Sequence, residues 1–467
     1  MDTFHKKFLW GGAISNVQAE GAYRTDGKGL NVYDTFEVQK EKGQKNINKV
    51  DIASNHYYQF KEDIELMNEM GFKACRFSIV WSRIYPNGTE EGPNEMGLDY
   101  YERMINNFLE KGIEPVVSLV HFDMPDHLSK KYNGFYSREV VDFFANHVGS
   151  VVKRFSSKVK YWITYNEMNT APYWPKLVAG ANVPDNFSQE EFYSTLVHNT
   201  QLAHAKAVLI IKKWIPDAKV SGMINFTHVH PKTSEPKDIE AAHIINNYMS
   251  FLTFDIMTTG RYPRYYKNFL ALRNIEISDS KGFEIIQEAS RKLDFLSVSY
   301  YQTQVISGPD FKNQLEFENS VIFNPHLEVS KYTKSTDWGW AIDPKGFKMA
   351  LEALSERYNM SIFIVENGIG LEEKVDELGQ IIDDKRIYYY KNHIKAMQDA
   401  IQYEGVQILG YLAWAPFDFL SSHKEMRKRY GFIYIDSENV TGDKLKRIPK
   451  KSFYWYKNLI ETNGEIL

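Results

Sequence analysis

Two glutamates carry the strongest chemical suggestion in the sequence. Glu167 closes Thr164-Tyr165-Asn166-Glu167 and Glu366 follows Ile364-Val365, each just beyond a short apolar run. Paired carboxylates are what cleavage of a glycosidic bond requires. One protonates the departing oxygen while the other attacks the anomeric carbon or activates water, and a separation of roughly 5 to 5.5 Å makes such a pair retaining. Arg76 is a natural counter-ion for Glu366, and the Tyr301 hydroxyl is a donor suited to it, which together favour an ionised nucleophile. Glu167 has no comparable cation beside it, so a less compensated environment should raise its pKa towards that of a general acid.

Such residues need a frame that gathers distant segments. Short apolar runs recur at residues 8–10, 74–77, 115–119, 161–163, 220–224, 295–298, 362–365 and 408–413, each followed by a stretch with helical spacing. Runs of this length read as strands buried on both faces, and helices between them imply parallel pairing. Phe60, Ile64 and Met67 share one helical face, and Gly71 then supplies a stop. Repeated strand-then-helix units without a Pro/Gly/Ser-rich linker predict an α/β chain. Its form is a single (β/α)8 TIM barrel over residues 1–467, with extended loops on the C-terminal face. Residues 11–51 and 303–345 are the long segments that would supply those loops.

In a barrel of this kind the chemistry sits where strands end. The residues there form a set: Gln18 to Gly21 after the first run, Arg76 after the second, His121 after the third and Asn166-Glu167 after the fourth. Tyr301 follows the sixth, Glu366-Asn367-Gly368 the seventh and Trp414 the eighth. Strands four and seven lie across the mouth from one another, so Glu167 and Glu366 would face each other over a bound substrate.

Composition excludes several other classes. Among 467 residues, 56 Lys+Arg stand against 60 Asp+Glu, a net charge of −4, which is no electrostatic footprint for nucleic acid. Cys75 is the only cysteine, so an intrachain disulfide and a cysteine metal cluster are excluded, and a reducing, cytoplasmic setting is favoured. Neither a signal peptide nor a membrane span is expected, since no apolar run has the length for one. Aromatic residues make up 15% of the chain, a supply that suits both core packing and the C–H faces of sugars. His198, His204, His228 and His230 lack metal-ligand spacing, and the glycines lack the spacing of a phosphate cradle, so neither metal nor cofactor is expected.

The motifs around these residues resemble glycoside hydrolase family 1, the retaining β-glycosidases, along nearly the whole chain. They are Arg76-Phe77-Ser78-Ile79 with Trp81-Ser82-Arg83-Ile84, Thr164-Tyr165-Asn166-Glu167, and Ile364-Val365-Glu366-Asn367-Gly368. The resemblance implies that Glu167 is the acid/base and Glu366 the nucleophile. It implies also that Gln18 and His121 hold sugar hydroxyls, Asn166 the 2-hydroxyl, and Trp414 the stacking platform.

Departures from the commonest form of the family refine this. Where ordinary β-glucosidases carry Glu-Trp seven and eight residues after the platform tryptophan, this chain has Ser421-Ser422. With Lys428 and Tyr430 the spacing becomes Ser-x6-Lys-x-Tyr, which resembles the phosphate-binding loop of the 6-phospho-β-glycosidases. A carboxylate about 4 Å from a sugar phosphate would be repelled by roughly 4 kcal/mol per unit charge at an effective dielectric near 20. Serine removes that repulsion, and Lys428 supplies a compact positive charge. Met168-Asn169 and Ser299-Tyr300-Tyr301 also look like this subgroup. Ser422 stands where the related 6-phospho-β-galactosidases tend to place Trp, which favours the gluco configuration. Trp338 is expected to line the outer pocket and Trp340 to pack.

The resemblance thus implies a cytoplasmic retaining 6-phospho-β-glucosidase. It would release glucose 6-phosphate from phosphorylated disaccharides of the cellobiose or gentiobiose type, or from aryl glucosides. Its partner would be that small phosphorylated substrate, with homo-oligomerisation left open. Beside it stand an unphosphorylated β-glucosidase or β-galactosidase, a 6-phospho-β-galactosidase, and a non-catalytic sugar-phosphate-binding barrel. If residues 424–430 are only a solvated basic loop, the unphosphorylated reading wins.

Overall fold

A computed structural model describes residues 4–37, 50–185, 188–441 and 444–467. Residues 38–49, most of the second half of the predicted long segment 11–51, lie outside the described residues.

The barrel strands are β1 (Leu9–Ile14), β2 (Ala74–Ser78), β3 (Glu114–Ser118), β4 (Tyr161–Ile163), β5 in two pieces (Lys219–Ser221 and Met223–Asn225), β6 (Leu296–Tyr300), β7 (Ile362–Asn367) and β8 (Ile408–Trp414). Every neighbouring pair is parallel, and β8 pairs back onto β1, with Leu9 opposite Gly410 and Ala13 opposite Trp414. The first piece of β5 pairs with β4 and the second with β6, so the strand bridges its neighbours across a break at Gly222. A Cβ at Gly222 would lie 2.7 Å from Met257 Sδ and 2.9 Å from His204 Nδ1, so the chain passes its covering helices there only without a side chain.

Alternating strands and helices bury apolar runs on both faces, which is why Val116, Val117, Trp162, Val298 and Ile364 are all inaccessible. The helix carrying Phe60, Ile64 and Met67 spans His56–Glu69 and ends at Gly71, whose φ of +81° suits glycine.

Several boundaries differ from the sequence pattern. The run 220–224 is interrupted, β1 continues to Ile14, and β7 and β8 extend through Glu366-Asn367 and Trp414. Arg76 lies within β2 rather than after it. Ladder hydrogen bonds use backbone alone, so a polar side chain pointing into the mouth does not end a strand. The pairing of β7 is irregular between Ile364 and Glu366, a bulge-like shift that re-aims the side chains at its mouth end. Segment 303–345 is not a bare loop: it holds the strand Thr303–Ile306, a helix Gln314–Phe323 and the short pair Lys334–Ser335 with Ala341–Ile342. Among the described residues, no helix is long and apolar enough to cross a membrane.

Candidate active site

The mouth formed by the C-terminal strand ends holds a cavity of about 410 Å3 with Glu167 and Glu366 both on its wall. Glu366 comes from the end of β7. Arg76, rising from β2, gives one guanidinium nitrogen to Glu366 Oε1 and the other to Asn166 Oδ1 at 2.6 Å. Its Nε donates to Ser118 Oγ at 2.8 Å, which fixes the fork from behind. The Tyr301 hydroxyl donates to Glu366 Oε2 at 2.9 Å.

Glu167 sits in the turn that ends β4, with φ of +44°, a left-handed conformation that costs a non-glycine residue about 1–2 kcal/mol. Its Oε1 accepts from Ser299 Oγ at 2.6 Å and from Asn225 Nδ2 at 2.9 Å.

Burial dominates the electrostatics of both carboxyls. It pushes Glu366 up to about 7, with the charge of Glu167 adding to the rise, against the pull of Arg76 and the Tyr301 hydroxyl. Arg76 and Tyr301 pull in the direction expected of them, towards an ionised Glu366, but burial outweighs them. Glu167 is also raised by burial, and the Ser299 and Asn225 donors and Arg76 offset part of it. Two carboxyls in one desolvated cavity resist carrying two charges, so each charge disfavours the other.

Among the described residues, the buried polar atoms without a partner around this cavity include, beside the Tyr173 hydroxyl, Gln18 Oε1, His121 Nδ1 and Asn166 Nδ2. All four residues line the cavity. An unsatisfied buried polar atom costs about 1–3 kcal/mol, a penalty that ligand hydroxyls would remove. Two of these side chains are fixed through their other polar atom, Gln18 Nε2 donating to Leu420 O at 2.6 Å and Asn166 Oδ1 accepting from Arg76. Burial, with Arg76 adding to it, holds His121 well below the usual histidine pKa, so it is neutral at pH 7. Its ring stacks against Trp414, centroids 5.8 Å apart.

The opposite wall is built from the segment after β8. Ser421, Ser422 and Tyr430 line the cavity. Ser421 Oγ accepts backbone N–H groups from His423 and Glu425 at 3.3 and 3.2 Å, which leaves its own proton to be donated elsewhere. Lys428 is buried, with its ammonium 3.7 Å from the Trp340 ring centroid. Gly370 makes room for this packing, because a Cβ there would lie 2.8 Å from Lys428 Cγ and 3.1 Å from Tyr430 Cζ. Lys424, Lys428 and Arg429 are all buried, so residues 424–430 are not a solvated basic loop.

Two tryptophans exchange their anticipated places. Trp340 lines the cavity and meets Tyr301 edge-on, while Trp338 lies outside the lining beside Arg427 and Lys428. Glu20, which follows the first strand, is no part of the site: it is paired with Arg83 and Tyr101 in the core. His204 is bonded to Thr164, and His198 to Tyr262 and Asp279. Among the described residues, no three His, Cys, Asp or Glu are grouped to hold a metal ion. Sequence reading missed Asn225, whose signal was its place at the mouth end of a strand, and Gly370.

Two desolvated carboxyls across one barrel mouth, with an arginine behind one of them, suit cleavage of a glycosidic bond. The sequence matches the model of glycosyl hydrolase family 1 over residues 1–465, and the chain belongs to that family. It is 40% identical to an aryl-phospho-beta-D-glucosidase of Bacillus subtilis, BglH, over 99% of this chain and 98% of that one. It is likewise 40% identical to a 6-phospho-beta-glucosidase of Clostridium longisporum, over 100% of this chain and 98% of the relative. Among solved structures, the family 1 β-glucosidase of Thermotoga maritima superposes with a TM-score of 0.86 at 33% identity, covering 99% of both chains.

Proposed function

We propose that this chain is a retaining 6-phospho-β-glucosidase, with residues 1–467 acting as one catalytic barrel. Glu167 protonates the glycosidic oxygen while Glu366 attacks the anomeric carbon. Water then releases glucose 6-phosphate, with Glu167 as base. Arg76 and Tyr301 hold Glu366 in place and favour its ionised form against the effect of burial. Gln18, His121 and Asn166 take the sugar hydroxyls, and Trp414 supports the ring.

The observation that carries the phosphate assignment is that Ser421 and Tyr430 line the same cavity as both carboxyls, with the Lys428 ammonium against its Trp340 wall. Hydroxyl donors and one compact cation suit a group carrying about −1.5 to −2 charges at pH 7. Relatives support the same substrate class, one of them a phospho-cellobiase of Klebsiella oxytoca at 38% identity. Ser422 on the cavity wall supports the gluco configuration. A cytoplasmic location follows from the same reading, since a doubly charged sugar does not cross a bilayer unaided.

The test compares p-nitrophenyl β-glucoside with its 6-phosphate on purified protein. Turnover confined to the phosphate is the expected result. Equal or greater turnover of the unphosphorylated glucoside would give the ordinary β-glucosidase reading instead.

A further inference from the structure

Glu167 is gripped through one oxygen. Ser299 Oγ and Asn225 Nδ2 both donate to Oε1, at 2.6 and 2.9 Å. Asn225 and Ser299 are register partners at the mouth ends of β5 and β6, so their side chains project from the same face of the sheet. The Asn225 amide is fixed in orientation because the Thr227 hydroxyl donates to its Oδ1 at 2.9 Å. Its backbone is clamped by Asn169, two residues beyond Glu167. Asn169 Oδ1 accepts from Asn225 N at 2.9 Å, and Asn169 Nδ2 donates to Asn225 O at 2.8 Å and to Met249 O at 2.7 Å. A bracket therefore ties the turn after β4 to the ends of β5 and β6.

We propose that Ser299 and Asn225, backed by Asn169, are positioning residues that reserve Glu167 Oε1 as an acceptor and so assign the transferable proton to Oε2. The inference rests on the reading of Glu167 as acid/base. An oxygen receiving two donors is the carbonyl oxygen of the neutral acid, so its hydrogen resides on the other oxygen. In the first step the Oε2 proton passes to the glycosidic oxygen as the C1–O bond breaks and its electron pair goes to that oxygen. Glu366 forms the new bond to C1, and the aglycone leaves as a neutral alcohol. The negative charge left on Glu167 is received at Oε1 by the two donors already in place. In the second step Oε2 takes a proton from water as the water oxygen bonds to C1 and the bond to Glu366 breaks. The bracket therefore supports the carboxylate at the moment it forms and keeps the other oxygen for the substrate.

Among the described residues, the other titratable groups around Glu167 are Glu366 from β7, Arg76 from β2, His121 after β3, Tyr301 after β6 and Tyr430 from the final loop, with Tyr173 and His423 on the same cavity wall. Substituting Ser299 or Asn225 alters none of them.

The test uses Ser299→Ala and Asn225→Ala, assayed across pH with aryl β-glucoside 6-phosphates of graded leaving-group acidity. Loss of a donor to the carboxylate raises the Glu167 pKa, so the alkaline limb of kcat/KM moves up by about one pH unit in each variant. At pH 7 the rate falls about tenfold for poor leaving groups and under about twofold for dinitrophenolates, which need no protonation. Ser299→Thr, which restores the hydroxyl, returns the limb to its original position. Should one alanine variant fail to fold, the other carries the same prediction. Glu167→Ala with azide tests the underlying role separately: a β-glycosyl azide keeps that role standing. An unmoved limb, or a loss equal for all leaving groups, would then overturn the bracket alone.

Discussion

The Lys428 ammonium lies 3.7 Å from the centroid of the Trp340 ring, and that ring meets Tyr301, the donor to Glu366, edge-on at 5.6 Å. Trp340, in the cavity wall, thus links Lys428, which itself lies outside the lining, with the side chains around the nucleophile. Lys428→Ala should lower kcat/KM for 6-phosphoglucosides about 10- to 100-fold, the worth of a hydrogen bond to a charged group. Hydrolysis of the unphosphorylated glucoside, already slow, should be little changed. Trp340→Leu removes a cation–π contact of about 0.5–2 kcal/mol and should erode the same preference less. The measurement is the ratio of kcat/KM for the two aryl substrates, and equal losses on both would make Lys428 a packing residue.

The roles of the two glutamates separate in the products they form. Glu366→Ala should abolish turnover of every natural substrate. Glu167→Ala should slow poor leaving groups about 10²- to 10⁴-fold, the usual contribution of general acid catalysis, while sparing the first step for dinitrophenyl substrates. Azide needs no general base, so with Glu167→Ala it should capture the covalent intermediate as the β-glycosyl azide. With Glu366→Ala it should attack from the opposite face and give the α-azide. Product stereochemistry by NMR reads the assignment directly, and reversed products would exchange the two roles.

The raised carboxyls fix the sign of the pH response. Below its pKa Glu366 is protonated and cannot attack, so with that value pushed up to about 7 the acid limb of kcat/KM should lie near neutrality rather than near 4.5. Glu167→Gln removes a like charge, Glu366 ionises more easily, and the acid limb should move to lower pH. The comparison uses one dinitrophenyl 6-phosphate for both proteins, so titration of the substrate phosphate cancels. A limb that stays in place would mean that the two carboxyls titrate independently.

The strand-end residues were legible because a parallel barrel brings all its C-terminal strand ends to one mouth, whatever the detail of the loops. Asn225 was not, because the run 220–224 stops one residue short of it, and the break at Gly222 that redirects the strand is set by Met257 and His204 packing above. Ser299 stood out as a departure, but its bond to Glu167 depends on being opposite Asn225, a register that periodicity does not give. Gly339, with φ of +73°, breaks the alternation that would have put Trp338 and Trp340 on one side, so spacing did not tell which of them lines the cavity. The Arg76 pairing with Glu366 was visible as a matter of charge. The depth of burial that outweighs it was not, because desolvation depends on the whole fold.

The loop that bears Lys428 and Tyr430 is held by buried charge, and this gives a prediction about stability. Asp418 accepts from Arg429 at 2.9 Å, from Lys450 at 2.8 Å and from the Gly431 amide at 2.9 Å. Arg386 joins the cluster through Glu373 and donates to Tyr430 O at 2.6 Å. Burial alone would raise the Asp418 pKa, but Lys450 and Arg429 outweigh it and hold the carboxyl below its usual range. A depressed folded pKa contributes stability that is fully present above the unfolded value of about 3.9 and is lost as pH falls through the folded one. Asp418→Asn leaves two buried cations short of a partner and should destabilise the protein by about 3–5 kcal/mol at pH 7. That deficit in thermal unfolding should begin to shrink below about pH 4, where protons bind the unfolded carboxyl before the native one, and vanish only as pH falls through the depressed native pKa. Because the same cluster carries Tyr430, the surviving enzyme should lose more activity on phosphorylated than on unphosphorylated glucosides. An unchanged melting temperature at pH 7 would mean that the cations find other partners and that the loop is anchored by its apolar contacts.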